Sequence, residues 1–213
     1  MRTGDLVSML ATRVTPIDPH TVGKRFGLAV LIGMLGATSL LVAVFGVRSE
    51  MPQMLATPWF WLRLAFPLAV VVGALLLAGR LSRPGSSAVL GWVMLVLPLS
   101  AVWLAALGFI WATPRGLRLA LVLGSTWRVC TLSIVLLSVP TFIAVVWAMR
   151  GLAPTRLRLA GAGAGLLAGA QAALVYTLYC LEMAVPFWGV WYVLGMLVPV
   201  AIGSVLGPVL LRW

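Results

Sequence analysis

The chain alternates between long apolar stretches and short joints that are polar or rich in proline and glycine. A helix needs roughly 20 apolar residues to cross a bilayer. Stretches of that kind predict six transmembrane helices, at about 26–47, 58–79, 88–111, 129–149, 157–180 and 185–211. Inside lipid a span must satisfy its own backbone hydrogen bonds, so the predicted fold class is all-α, a polytopic membrane protein.

The joint between the third and fourth spans contains a further apolar run, Leu117–Leu123. This run is too short to cross a bilayer, and we predict that it lies flat at the membrane surface. A crossing there would reverse the direction of every later span. With six spans, both termini lie on the same side of the membrane.

Charge decides which side that is. With 9% charged residues the chain does not resemble a water-soluble domain, and its formal net charge is +11. The basic residues flank the spans and form no basic stripe, so lipid headgroups are expected partners and nucleic acid is not a direct one. By the positive-inside rule, an N-in/C-in orientation is favoured, with ten basic residues inside and five outside. The outer five are Arg48, Arg63, Arg115, Arg118 and Arg128.

The pattern divides the chain into a cytoplasmic tail, residues 1–25, and a six-helix membrane domain, residues 26–213. Within the tail, apolar residues at helical spacing predict a short amphipathic helix, with Asp5 suited to its positive end. The apolar stripe is formed by Leu6, Met9, Leu10 and Val14. So short a helix is marginal alone in water, so it either lies on the bilayer or enters a groove on a cytoplasmic partner.

Two cysteines are the main chemical candidates. Cys130 begins the fourth span and Cys180 ends the fifth, which places both at the outer face. They are either buried as small apolar side chains, or a thiol pair that forms a disulfide or captures a soft metal ion. The chain has no CxxC motif, which disfavours a disulfide-generating enzyme. No cofactor is expected, apart from a transient heavy-metal ion at Cys130, Cys180 and Glu182.

The sequence does not predict an enzyme. All four acids, Asp5, Asp18, Glu50 and Glu182, fall outside the span centres, and the single histidine lies in the tail. No base is therefore available to activate a nucleophile within the spans, and no catalytic residue is predicted.

Two alternatives to a regulator stay open. One is a small transporter or channel subunit, whose cavity would be lined by Ser100, Ser133, Ser138, Thr141 and Gln171. The other is a membrane assembly or scaffold protein that pairs through glycine faces at four-residue spacing. Those faces are Gly161, Gly165 and Gly169 on the fifth span and Gly203 and Gly207 on the sixth.

Several fragments occur in an order and spacing that resemble a known family. They are MRTGDLVSMLA at the start, GVRSE, TPWFWLRLAF, RLSRPG, VC at 129–130, RGLAPTR at 150–156, and YTLYCLE with PFWGVWY at 176–192. Together with the six-span layout they resemble the NrsF-like (negative regulator of sigma-F) family of integral-membrane anti-sigma factors, over nearly the whole chain.

The resemblance implies a multi-pass protein of the bacterial inner (cytoplasmic) membrane that holds an extracytoplasmic-function sigma factor away from RNA polymerase. It implies that Cys130 and Cys180, on the outer side, sense heavy-metal or oxidative stress. It also implies that the cytoplasmic tail, around Asp5, Leu6, Met9 and Leu10, lies nearest the sigma factor. Tyr179 stands where the family pattern has a histidine, and tyrosine is a poorer ligand for soft metals, which favours thiol oxidation.

Overall fold

The computed structural model describes residue 4 and residues 21–46, 51–82, 89–152 and 154–212. The predicted tail helix, with Asp5, Leu6, Met9, Leu10 and Val14, lies outside these residues. Asp18, Glu50 and Arg48 also lie outside them.

Six long helices make up most of the described chain. They are α1 Thr21–Phe45, α2 Pro58–Leu81, α3 Val89–Ala112, α4 Trp127–Arg150, α5 Leu157–Tyr176 and α6 Val185–Leu210. Each is long and apolar enough to cross a membrane. The described residues contain no strand, so the predicted all-α fold with six long apolar helices is confirmed.

The apolar run in the third joint folds as a 3-10 turn, Arg115–Leu117, followed by a short helix, Arg118–Leu123. At about 1.5 Å per residue this helix is too short to span a bilayer, as predicted. It packs beside the start of α6, where the indole of Trp191 donates a hydrogen bond to the carbonyl of Val122 (2.9 Å). At the opposite end of the bundle, Arg150 Nε donates to the carbonyl of Leu210 (2.6 Å). These two contacts place α4 and α6 side by side in the same direction.

Two predicted boundaries differ from the structure by four or five residues, and the others agree within two. The first helix begins at Thr21, before the predicted start near residue 26, and includes Lys24, whose long side chain can carry its charge to a membrane surface. The fifth ends at Tyr176, before the predicted end at residue 180. There the amides of Leu178 and Tyr179 bond to carbonyls three residues back, which tightens the last turn. Residues 177–184 therefore form a loop, which we call the α5–α6 loop.

The most buried helix is α5, and it packs most closely against α6. A Cβ added at Gly161 would overlap the carbonyl oxygen of Gly203, and one at Gly165 would overlap that of Pro199. Backbones this close require small residues at the contact. The glycine faces are therefore used inside this chain.

Candidate thiol site

The two cysteines lie together at the end of the bundle where α4 begins and α5 ends. Cys130 is the fourth residue of α4 and is fully buried, and Cys180 in the α5–α6 loop is 2% exposed. Both thiols are free and lie close enough to interact with each other. The structure thus brings together the two residues that the sequence singled out.

A buried arginine holds the loop that carries Cys180. Arg63, in the second turn of α2, is only 1% exposed. Its Nη1 donates to the carbonyls of Cys180 (3.0 Å) and Glu182 (2.8 Å). Its Nη2 donates to the carbonyl of Thr177 (2.7 Å), just beyond the last turn of α5. Since carbonyls at a helix C-terminus carry partial negative charge, they suit the guanidinium and fix the loop against α2.

Glu182 ties the same loop to the segment that precedes α4. Its Oε1 accepts hydrogen bonds from the amide (2.7 Å) and the hydroxyl (2.6 Å) of Ser125. The neighbouring Gly124 has a positive φ of 56°, and a Cβ there would lie 2.9 Å from the Glu182 carboxylate. Glycine is therefore required both by the backbone conformation and by the close approach. The segments that carry the two cysteines are thereby joined to each other.

Aromatic rings surround the thiols. The rings of Tyr176 and Tyr192 meet edge to face with centroids 6.2 Å apart, and Phe45 and Tyr179 lie 4.9 Å apart. Tyr192 is fully buried, and its hydroxyl faces Cys180. The ring contacts connect α1, α5 and α6 at this end, so the thiols lie in a packed aromatic cluster.

A cleft of about 500 Å³ reaches the site from the outside of the bundle. It touches Cys180 but not Cys130. The other lining residues are Phe45, Thr126, Val129, Tyr176, Tyr179 and Leu181. Val129 and Leu181 are exposed, whereas Cys180 lies at the buried side of the cleft.

The surroundings favour the charged form of Cys180. Its pKa is lowered from an ordinary value of 9.0 to about 6, first by the hydrogen bond from Cys130. Burial acts in the opposite direction, because a low-dielectric environment disfavours charge. The backbone amide of Glu182, the side chain of Tyr192 and the positive charge of Arg63 lower the pKa further. The lowered pKa increases the fraction of Cys180 that is present as thiolate, and the thiolate is the form of cysteine that acts as a nucleophile.

Glu182 does not join the thiols as a third metal ligand. Among the described residues, no three of histidine, cysteine, aspartate and glutamate gather closely enough to hold a metal ion. The Glu182 carboxylate instead accepts the two hydrogen bonds from Ser125.

The polar residues suggested for a transport cavity are scattered. Ser133 and Ser138 donate to carbonyls within their own helix, and Gln171 donates to the carbonyl of Val30 (2.8 Å). Ser100 likewise donates to a carbonyl of its own helix. None of them lines the cleft beside Cys180. The arrangement therefore gives no support to the transporter alternative.

Comparison with known proteins gives the family. The NrsF family, described as negative regulator of sigma F, matches residues 10–213. The chain belongs to this family. It is 45% identical to the probable anti-sigma-F factor NrsF of Azospira oryzae and 35% identical to the anti-sigma-F factor NrsF of Caulobacter vibrioides. Both alignments cover 100% of the two chains, and no solved structure matches. The family resemblance noted in the sequence is confirmed, and NrsF proteins are regulators and not catalysts.

Arg63 is the residue of this NrsF site that sequence reasoning missed. In the sequence analysis, Arg63 is counted among the charges that flank the spans on the outer side. It lies inside the predicted span 58–79, however, and that span contains no acid to pair with it. A charge within a membrane span is costly, and such residues usually serve a function. That signal, applied to basic as well as acidic residues, identifies Arg63 from the sequence alone.

Proposed function

We propose that this protein is a membrane-bound anti-sigma factor that sequesters an extracytoplasmic-function sigma factor at its cytoplasmic face. Modification of Cys130 and Cys180 releases the sigma factor under heavy-metal or oxidative stress. The observation that carries the proposal is the pair of free thiols, buried together at one end of the bundle in an NrsF-family chain.

The proposed location is the bacterial inner membrane, with the N-terminus in the cytoplasm and the thiols on the outer side. The distribution of charge supports this orientation, because basic residues mark the cytoplasmic side. At the end of the bundle away from the thiols, the described basic residues are Lys24, Arg25, Arg80, Arg150, Arg156, Arg158 and Arg212. The thiol end has four, and Arg63 among them is buried.

The proposed contact with the sigma factor is the cytoplasmic tail, residues 1–25. Its apolar stripe, formed by Leu6, Met9, Leu10 and Val14, suits a groove on a soluble partner. The relatives from Azospira and Caulobacter are both named anti-sigma-F factors, which supports a sigma factor as that partner.

The proposed signal passes along α4. A disulfide or a bound metal ion would change the distance between the start of α4 and the α5–α6 loop. The far end of α4 is bonded to the end of α6 through Arg150 and Leu210. This is the end of the bundle that carries the seven basic residues named above, and we call it the basic face. A displacement of α4 would therefore alter the surface from which the tail emerges.

The tail contact is tested by a pull-down of the full-length protein from membranes that co-express candidate sigma factors. We expect retention by the native chain and loss after deletion of residues 2–15. Leu10→Asp should also abolish retention, because it places a charge in the apolar stripe. Ser8→Asp adds the same charge on the opposite face of the helix and should retain the partner. Equal retention by all four proteins would contradict the proposed contact.

A further inference from the structure

The two thiols differ in their access to the outside. The cleft touches Cys180, whereas Cys130 lies behind it and is fully buried. We propose that Cys180 is the thiol attacked first by an oxidant, that Cys130 is the resolving thiol, and that Arg63 is the positioning residue for Cys180. This division of roles rests on the proposed thiol input and specifies its chemistry.

The size and lining of the cleft indicate the class of oxidant. At about 500 Å³ it is far larger than the roughly 30 Å³ occupied by one water molecule in the liquid. Its walls include the rings of Phe45, Tyr176 and Tyr179 and the exposed side chain of Leu181. Such walls favour an apolar molecule over a small hydrophilic one. We therefore assign the site to organic hydroperoxides.

The buried positive charge of Arg63 also favours Cys180 as the thiol that reacts first. Its hydrogen bonds within the described chain go to three neutral carbonyl oxygens, and its Nε is buried without a partner. A buried cation with this environment lacks a full compensating negative charge. A thiolate on Cys180, in the loop that Arg63 holds, supplies that charge. In the segment that carries Cys130, the neighbouring Arg128 is exposed and lies over the ring of Trp127.

The reaction consists of two balanced steps. The Cys180 thiolate attacks the terminal oxygen of the hydroperoxide, so an S–O bond forms and the O–O bond breaks. The departing alkoxide takes a proton from water, and Cys180 becomes a sulfenic acid. Cys130 then attacks the sulfur of Cys180, the S–S bond forms, the S–O bond breaks, and the hydroxyl leaves with the proton of Cys130 as water. Cys130 is placed for the second step, because its buried thiol already interacts with that of Cys180.

The test uses the full-length protein in detergent micelles, treated with a limiting amount of cumene hydroperoxide. Dimedone traps sulfenic acids, and peptide mass spectrometry identifies the trapped cysteine. In Cys130→Ser, which lacks the resolving thiol, trapped Cys180 should accumulate. In Cys180→Ser, trapping at Cys130 should be at least about tenfold slower, because that thiol does not line the cleft. Equal rates of trapping in the two variants would overturn the division of roles.

The role of Arg63 is tested in the Cys130→Ser background. Arg63→Gln should slow trapping at Cys180 about tenfold, and Arg63→Lys, which keeps the charge, should restore most of the rate. Arg128→Gln removes a charge at the same end of the bundle without contact to the loop, and should leave the rate unchanged. Equal slowing by Arg63→Gln and Arg128→Gln would overturn the positioning role. No sigma factor is present in these assays, so their failure is distinguishable from failure of the proposed sigma binding.

Discussion

At the scale of single residues, the chemistry of Cys180 depends on the hydrogen bond from Cys130. That bond is the largest cause that lowers the pKa of Cys180 to about 6, and burial opposes it. A thiolate that loses a donor while staying buried is less stable. The replacement at position 130 should therefore decide the pKa at position 180.

Cys130→Ala removes the donor and should raise the pKa of Cys180 toward its ordinary value of 9.0. With Cys130→Ser, which keeps an O–H donor, the alkylation rate of Cys180 by iodoacetamide should rise with pH through about 6 and then level off. With Cys130→Ala the rate should still be rising above pH 8, because only the thiolate reacts. The measurement is the pH profile of alkylation, and superimposable profiles for the two variants would argue against this bond.

Arg63 shows at the same scale why part of the site could not be predicted from the sequence. The sequence identifies the cysteines because the chain has only two of them and because counting the predicted spans places both at one face. Neither step requires knowledge of how the helices pack. The partners of Arg63 are more than 100 positions away in the chain, and carbonyl groups carry no residue-specific signal. The sequence can indicate that a buried charge needs partners, but only the fold gives their identity.

At the scale of helices, hydropathy predicts which segments are long and apolar enough to cross a bilayer, but it does not predict where each helix ends. The six long helices follow from their apolar length, and the short run Leu117–Leu123 forms a separate helix of six residues, Arg118–Leu123, after a 3-10 turn. The end of α5 is not predictable in this way, because Leu178 is as apolar as the helix before it. There the hydrogen bonds from Arg63 and the tightened turn end the helix.

The close contact of α5 with α6 gives a prediction about stability. In Gly165→Ala the new methyl group would overlap the carbonyl of Pro199 and lie 2.8 Å from the Cα of Val200, so a backbone must move. Overpacking of this kind costs roughly 1–3 kcal/mol. Gly108→Ala, on the exposed side of α3, meets no atom within 4 Å.

We expect the thermal midpoint of Gly165→Ala in detergent to fall below that of the native protein. The midpoint of Gly108→Ala should stay level or rise, since alanine favours a helix by about 1 kcal/mol over glycine. Equal midpoints for the two variants would show that α5 and α6 can separate without cost. Their contact could then not act as a rigid unit beside α4.

At the scale of the whole molecule, the thiols and the basic face lie at opposite ends of the bundle. The 20 residues from Cys130 to Arg150 along α4 separate them by about 30 Å at about 1.5 Å per residue. Coupling over this distance needs an element with two arrangements that both ends distinguish. The tightly packed pair of α5 and α6 is suited to stay fixed, whereas α4 connects Cys130 to the Arg150–Leu210 contact.

This arrangement predicts that oxidation of the thiols weakens sigma binding at the far end. The affinity of the sigma factor is measured for the full-length protein in nanodiscs, once reduced and once after diamide has joined Cys130 to Cys180. We expect the dissociation constant to rise at least about tenfold on oxidation, which corresponds to about 1.4 kcal/mol. The Cys130→Ser/Cys180→Ser double variant should bind equally well with and without diamide. If the native protein also bound equally well in both states, α4 would not carry the signal, and the thiol pair would serve only the stability of its own end of the bundle.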